Sequence, residues 1–110
     1  MSIRLTPKTK AYLEAIYAEK LIWLRLDAKK EFEPNAFRYL LSWTTKIRPQ
    51  IEKGLTARDG IVIVVAREHT LMFDGVLIGL HEGKNGREVI ILENPNAFIS
   101  ADGMIRLLHQ

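Results

Sequence analysis

The chain has no cysteine among its 110 residues. That excludes disulfides and thiolate metal sites, and makes the cytoplasm the expected location. It also lacks any long hydrophobic run. The longest purely apolar stretch is Ile61–Ala66, far too short to cross a bilayer, so no membrane contact is expected. The basic start MSIRLTPKTK is followed by Glu14, Glu19 and Lys20, which interrupt the apolar region that a secretory leader needs. There is no low-complexity tract, internal repeat or linker, and one domain spanning 1–110 is expected.

Catalytic signatures are missing as well. His69, His81 and His109 form neither HExxH nor a closely spaced pair, and read as surface or loop-edge histidines. Gly83-Lys84 is followed by Asn85, so there is no phosphate loop, and no GxGxxG is present. Ser2, Ser42 and Ser100 lack a nucleophile elbow, and Glu31/Glu33 sit in a turn with nothing to raise a pKa. No catalytic residue, metal ligand or cofactor is assigned, and an enzyme is the less favoured class.

What is present is a folded composition, 47% hydrophobic and 26% charged, with a net charge of +3. The charge is uneven. Residues 1–59 carry twelve Lys/Arg against seven Asp/Glu, a balance of +5; residues 60–110 carry four against six, a balance of −2. The basic half reads either as a solvated helix face or as a surface for an acidic partner or nucleic acid.

Thr6-Pro7 is a helix start, and the apolar spacing predicts a helix from Pro7 to about Lys30, with two stripes. Two stripes imply a second packing surface, met by another helix or another subunit. Pro34 breaks the pattern, and Asn35 caps a predicted second helix over AFRYLLSWTTKI, followed by Pro49 and a stop at Gly54. Seven of the nine aromatics fall in this half, as core or as partner surface.

From Asp59-Gly60 onward the pattern changes to strands: Ile61–Arg67, then Leu71–His81, with GKNG as a hairpin loop before Arg87–Leu92. Asp74-Gly75 reads either as a tight hairpin turn or as a sharp bend in one long strand, and the bend is the reading adopted. Residues 97–100 and 104–109 predict a last hairpin around Asp102-Gly103. The expected fold is α+β: N-terminal helices (1–56) packed on a small, strongly bent antiparallel sheet or SH3/Sm-like barrel of about five strands (57–110).

The segment FDGVLIGLHEGKNGREVIILENPNAF resembles the first motif of the Sm-like (LSm/Hfq-type) proteins over about residues 59–100. Phe73, Gly75, Leu77, Gly79, Asn85, Ile90, Leu92 and Glu93 carry the resemblance, and Ile105-Arg106-Leu107 echoes the second motif. It implies a ring-shaped homo-oligomer whose His81, Lys84, Asn85 and Arg106 face a central RNA-binding pore. Lys46 and Arg48, beside Tyr39 and Trp43, are further nucleic-acid candidates. Gly75 and Gly79 are expected to be structural. The leading function is thus a non-enzymatic, self-associating module that binds RNA or single-stranded nucleic acid. The alternatives are a protein-interaction or structural subunit using its aromatic helices, and a small enzyme with an unrecognised site.

Overall fold

The computed structural model describes residues 2–32, 35–56 and 60–108. Glu33, Pro34, Asp59 and His109, used in the sequence reading, lie outside them.

The fold is mixed α and β, with far more strand than the sequence patterns suggest. A short strand β1 (Arg4–Leu5) leads into helix α1 (Pro7–Lys20). Thr6 caps that helix by accepting a hydrogen bond from the Thr9 amide at 3.2 Å. The helix stops at Leu21, which adopts the left-handed conformation at φ 55° and donates its N–H to Tyr17 O. Residues expected to continue the helix instead form β2 (Trp23–Lys30). The reason is in the burial: Leu24, Leu26 and Ala28 alternate inward while Trp23, Arg25 and Asp27 are only half-buried, a period of two.

The predicted second helix is also a strand, β3 (Ala36–Thr44), antiparallel to β2 from Trp23↔Thr44 to Lys30↔Phe37. Phe37, Tyr39 and Leu41 pack against the core, while Arg38, Leu40 and Ser42 are exposed. Aromatic and branched residues in alternation favour this pleated arrangement. Gly54 is no helix stop but lies inside β4 (Glu52–Thr56). The expected division into a helical first half and a β second half is therefore replaced by three strands within residues 23–56.

β5 (Val62–Ala66) lies between β4 and β2, antiparallel to the first and parallel to the second. A 3-10 turn (Arg67–His69) and a one-turn helix α2 (Thr70–Phe73) follow. Leu71–Phe73 is thus helical, and Asp74-Gly75 is neither a strand bend nor a hairpin. It joins α2 to β6 (Leu77–Gly83). β6 pairs with β7 (Gly86–Glu93) through the Lys84-Asn85 turn, and β8 (Ala97–Ile99) pairs with β9 (Ile105–Leu107).

Two sheets result, with strand orders β1-β6-β7 and β4-β5-β2-β3-β9-β8; neither closes into a barrel. Leu13 of α1, Leu24 and Leu26 of β2, Ile63 and Val65 of β5, Phe73 and Ile78 form the buried core between them. Among the described residues, no helix is long and apolar enough to cross a membrane.

Gly75 sits at φ +80°, donates its N–H to Ser2 O at 2.6 Å, and leaves a Cβ position 3.2 Å from Pro95 Cγ. A β-branched residue there must adopt left-handed backbone against a rigid ring. Gly75→Val is expected to lower stability by about 1–2 kcal/mol, since left-handed backbone costs this much in a residue with a Cβ. Thermal melts of the two proteins check it; equal melting temperatures would refute it.

Candidate metal centre

The parallel pairing of β2 with β5 sets Leu24 beside Ile63 and Leu26 beside Val65. One step further, Asp27 leaves the last residue of that register just as β5 turns into the Arg67–His69 segment. Three potential ligands converge there: Asp27, Glu68 and His69, with one donor atom of each within 4.8 Å of the others. His69 Nε2 lies 3.7 Å from Asp27 Oδ1 and 3.5 Å from Glu68 Oε1.

These separations are long for hydrogen bonds, and neither ring nitrogen of His69 makes one among the described residues. Atoms bound to one ion at 2.0–2.2 Å and spread by the tetrahedral angle stand about 3.3–3.6 Å apart. The 3.5 Å separation suits two donors on one ion, and the 3.7 Å separation is about 0.1 Å beyond that range.

Local structure holds the donors in place. Asp27 Oδ1 accepts the Ala28 amide at 2.7 Å. The His69 side chain is only 12% exposed and meets the Phe37 ring edge-on at 5.8 Å. Glu68, in contrast, is exposed and free to close on an ion.

A second charged group adjoins the first. Glu52, buried at 1% exposure, accepts from Arg48 Nε at 2.9 Å, the Arg48 amide at 3.1 Å and Arg48 Nη2 at 3.2 Å. Arg25 Nε approaches Glu52 Oε2 to 2.5 Å, off the hydrogen-bond direction, and Arg25 Nη2 donates to Thr44 Oγ1 at 2.9 Å and to Glu52 Oε1 at 3.3 Å. Hydrogen bonds from Arg48, opposed by burial and aided by Arg25, hold the Glu52 carboxyl down at about 2. Every charge here has a partner, so this network reads as architecture. It ties β2, which carries Arg25 and Asp27, to the start of β4 at Glu52.

Two larger hollows are lined mostly by apolar side chains, with Glu14 in the first and Arg87 and Glu88 in the second. One of about 310 Å³ lies under α1 between Leu13, Trp23, Trp43 and Ile61; another of about 500 Å³ runs between β3 and β7 past Tyr39, Leu41 and Val89. Neither gathers groups able to coordinate a metal.

The residues assigned from sequence to nucleic acid do not assemble. His81, Lys84 and Asn85 are exposed on the β6–β7 hairpin of the smaller sheet. Arg106 is on β9 of the larger sheet and bonds to Asp102 at 3.2 Å and Ser100 at 3.2 Å. Lys46 is exposed after β3, and Arg48 is engaged by Glu52. Gly79 lies in β6, where a Cβ would collide with the Leu92 side chain, 2.6 Å from its Cγ. The grouping of Asp27 with Glu68 and His69 was invisible in the sequence, because it is set by strand register and not by a linear motif.

No protein-family model matches the chain, and no curated protein does either. Solved structures do match. The chain is similar to IscA, in a crystal structure with a [2Fe-2S] cluster, at 24% identity and a TM-score of 0.67 over 98% of this chain and 99% of that one. It is similar to Escherichia coli SufA, described as involved in the biosynthesis of iron-sulfur clusters, at 18% identity and a TM-score of 0.65, over 86% of this chain and 87% of that one. At these identities the likeness shows the fold. It overturns the Sm-like resemblance and, with it, the pore-forming RNA-binding module and the RNA partner. A cluster of the kind seen in IscA does not fit this chain, because iron–sulfur clusters are held by cysteine thiolates and there are none.

Proposed function

We propose that this protein binds a single divalent metal ion, iron(II) above all, through Asp27, Glu68 and His69, and handles the bare ion where its structural neighbours handle clusters. The observation that carries this is the 3.5 and 3.7 Å spacing of two carboxylate oxygens about one imidazole nitrogen. Two hard oxygens and one imidazole suit iron(II) or manganese(II) better than a thiolate-loving ion. Three protein ligands leave coordination positions open, as in sites that exchange what they hold. The fold shared with IscA and SufA supports iron as the cargo and iron–sulfur cluster biogenesis as the setting. Non-catalytic ion binding and release is the role we assign.

Anaerobic titration with iron(II) tests it by calorimetry or equilibrium dialysis. One ion per chain is expected, with manganese(II) weaker than iron(II), following the general affinity order. Incubation with iron and sulfide should give none of the visible absorbance of a cluster. Absence of iron(II) binding, or formation of a stable cluster, would refute the proposal.

A further inference from the structure

Beside the metal ligands lies a cleft of about 280 Å³ whose wall includes Asp27, Glu68, Arg48, Arg67, Gln50 and Glu52. Ile51 and Ala66 add apolar wall, and the charged side chains of the cleft fall into two groups. Asp27 and Glu68 supply the negative part, and the guanidinium groups of Arg48 and Arg67 the positive part. At about 30 Å³ per water molecule, it holds several waters or one small organic anion.

The two arginines differ in how far they are engaged. Arg48 donates both Nε and Nη2 to Glu52. Hydrogen bonding to Glu52, with a smaller contribution from Asp27, keeps it charged. Arg67 donates only Nε, to Pro49 O at 2.8 Å; its terminal amino groups make no hydrogen bond among the described residues. That anchor holds the Arg67 side chain in the wall of the cleft while leaving its two terminal amino groups available to a carboxylate.

We infer that the site takes its metal together with a small polycarboxylate, which chelates the ion at its open positions and places a further carboxylate on Arg67. This rests on the metal reading above. A bare divalent ion needs no cations nearby, and Arg67 opposes its binding by like charge. An ion already chelated by an anionic ligand carries the charge that Arg67 and Arg48 attract. The cleft thus favours the chelated ion over the free one.

Equilibrium dialysis with labelled citrate and manganese(II) tests this on the full chain. Citrate should be retained at one per chain with manganese(II) present and not without it. Arg67→Gln should weaken citrate retention by about tenfold or more, the worth of a charged hydrogen-bonding pair. Arg67→Lys should restore part of it, and manganese(II) alone should still bind both variants. If manganese(II) binds alone but citrate strips it from the protein, the co-ligand inference fails and the metal reading stands. If manganese(II) and iron(II) are not retained under any condition, both fail. Undiminished citrate retention in Arg67→Gln would overturn the role given to Arg67.

Discussion

Glu52→Gln should be the most destabilising single substitution of a charged residue in this protein, by about 3–5 kcal/mol, the cost of breaking a buried ion pair from one side. The carboxylate is almost fully buried and serves two arginines at once. Its removal leaves Arg25, whose side chain is 20% exposed, without its counter-charge on β2. Arg48 is more open and can turn to water, which places the cost toward the lower end of that range. Equilibrium denaturation measures it. The control is Glu93→Gln, which loses an exposed partner of Arg4 and should cost under about 1 kcal/mol.

The same carboxylate sets a pH dependence whose sign follows from its depressed pKa. Its ordinary value of 4.5 falls to about 2 in the folded chain. The unfolded chain therefore binds the proton first on acidification. The stabilisation is complete above about pH 4.5 and drains away as the pH drops from there toward 2, by roughly 3 kcal/mol in all. Glu52→Gln should flatten that part of the stability–pH curve. An equally steep curve in the variant would assign the acid sensitivity to other carboxylates.

Asp27→Asn and His69→Ala should each weaken iron(II) binding by more than about 100-fold, since changing a residue that merely orients a ligand costs 10–100-fold and these supply the donors themselves. Asp27→Asn is the cleaner variant. Its side-chain oxygen can still accept the Ala28 amide, so that hydrogen bond within β2 survives while the charge goes. Glu68→Gln should have a smaller effect, because the Glu68 side chain is exposed and a water can take its place. Calorimetric titration reads all three, with circular dichroism to verify that each remains folded. Unaltered binding in Asp27→Asn and in His69→Ala would remove the metal centre from this location.

The elements legible in the sequence share a local cause. Thr6-Pro7 marks the start of α1 through its own capping chemistry, and the Lys84-Asn85 turn joins two strands whose alternation is plain. The branched run at Val62–Ala66 reads as a strand because nothing else suits it. Residues 23–30 and 36–44 misled for a different reason. Their apolar positions fit both a helical stripe and a two-residue alternation, and short apolar segments do not choose between periods alone. The choice is made by pairing: β2 and β3 hydrogen-bond to each other over eight consecutive pairs, which no helix pattern announces. The Sm-like resemblance failed for a related cause. A glycine-containing strand, a GKNG turn and a returning strand make a common hairpin, and Gly75 precedes β6 instead of bending it.

Asp27 and His69 are far apart in the chain and meet only because β2 and β5 run parallel in one register. Linear spacing therefore excluded HExxH but could not exclude a metal. The absence of cysteine, in contrast, was fully readable and has the larger consequence: a fold seen elsewhere with a [2Fe-2S] cluster is present here without any thiolate to hold one.

Diffraction from crystals of the manganese(II)- or iron(II)-loaded protein, recorded at the absorption edge of the metal, tests the assignment most directly. A single anomalous peak is expected about 2.0–2.2 Å from His69 Nε2 and from one oxygen each of Asp27 and Glu68. A peak at exposed His81, or no peak among Asp27, Glu68 and His69, would contradict it.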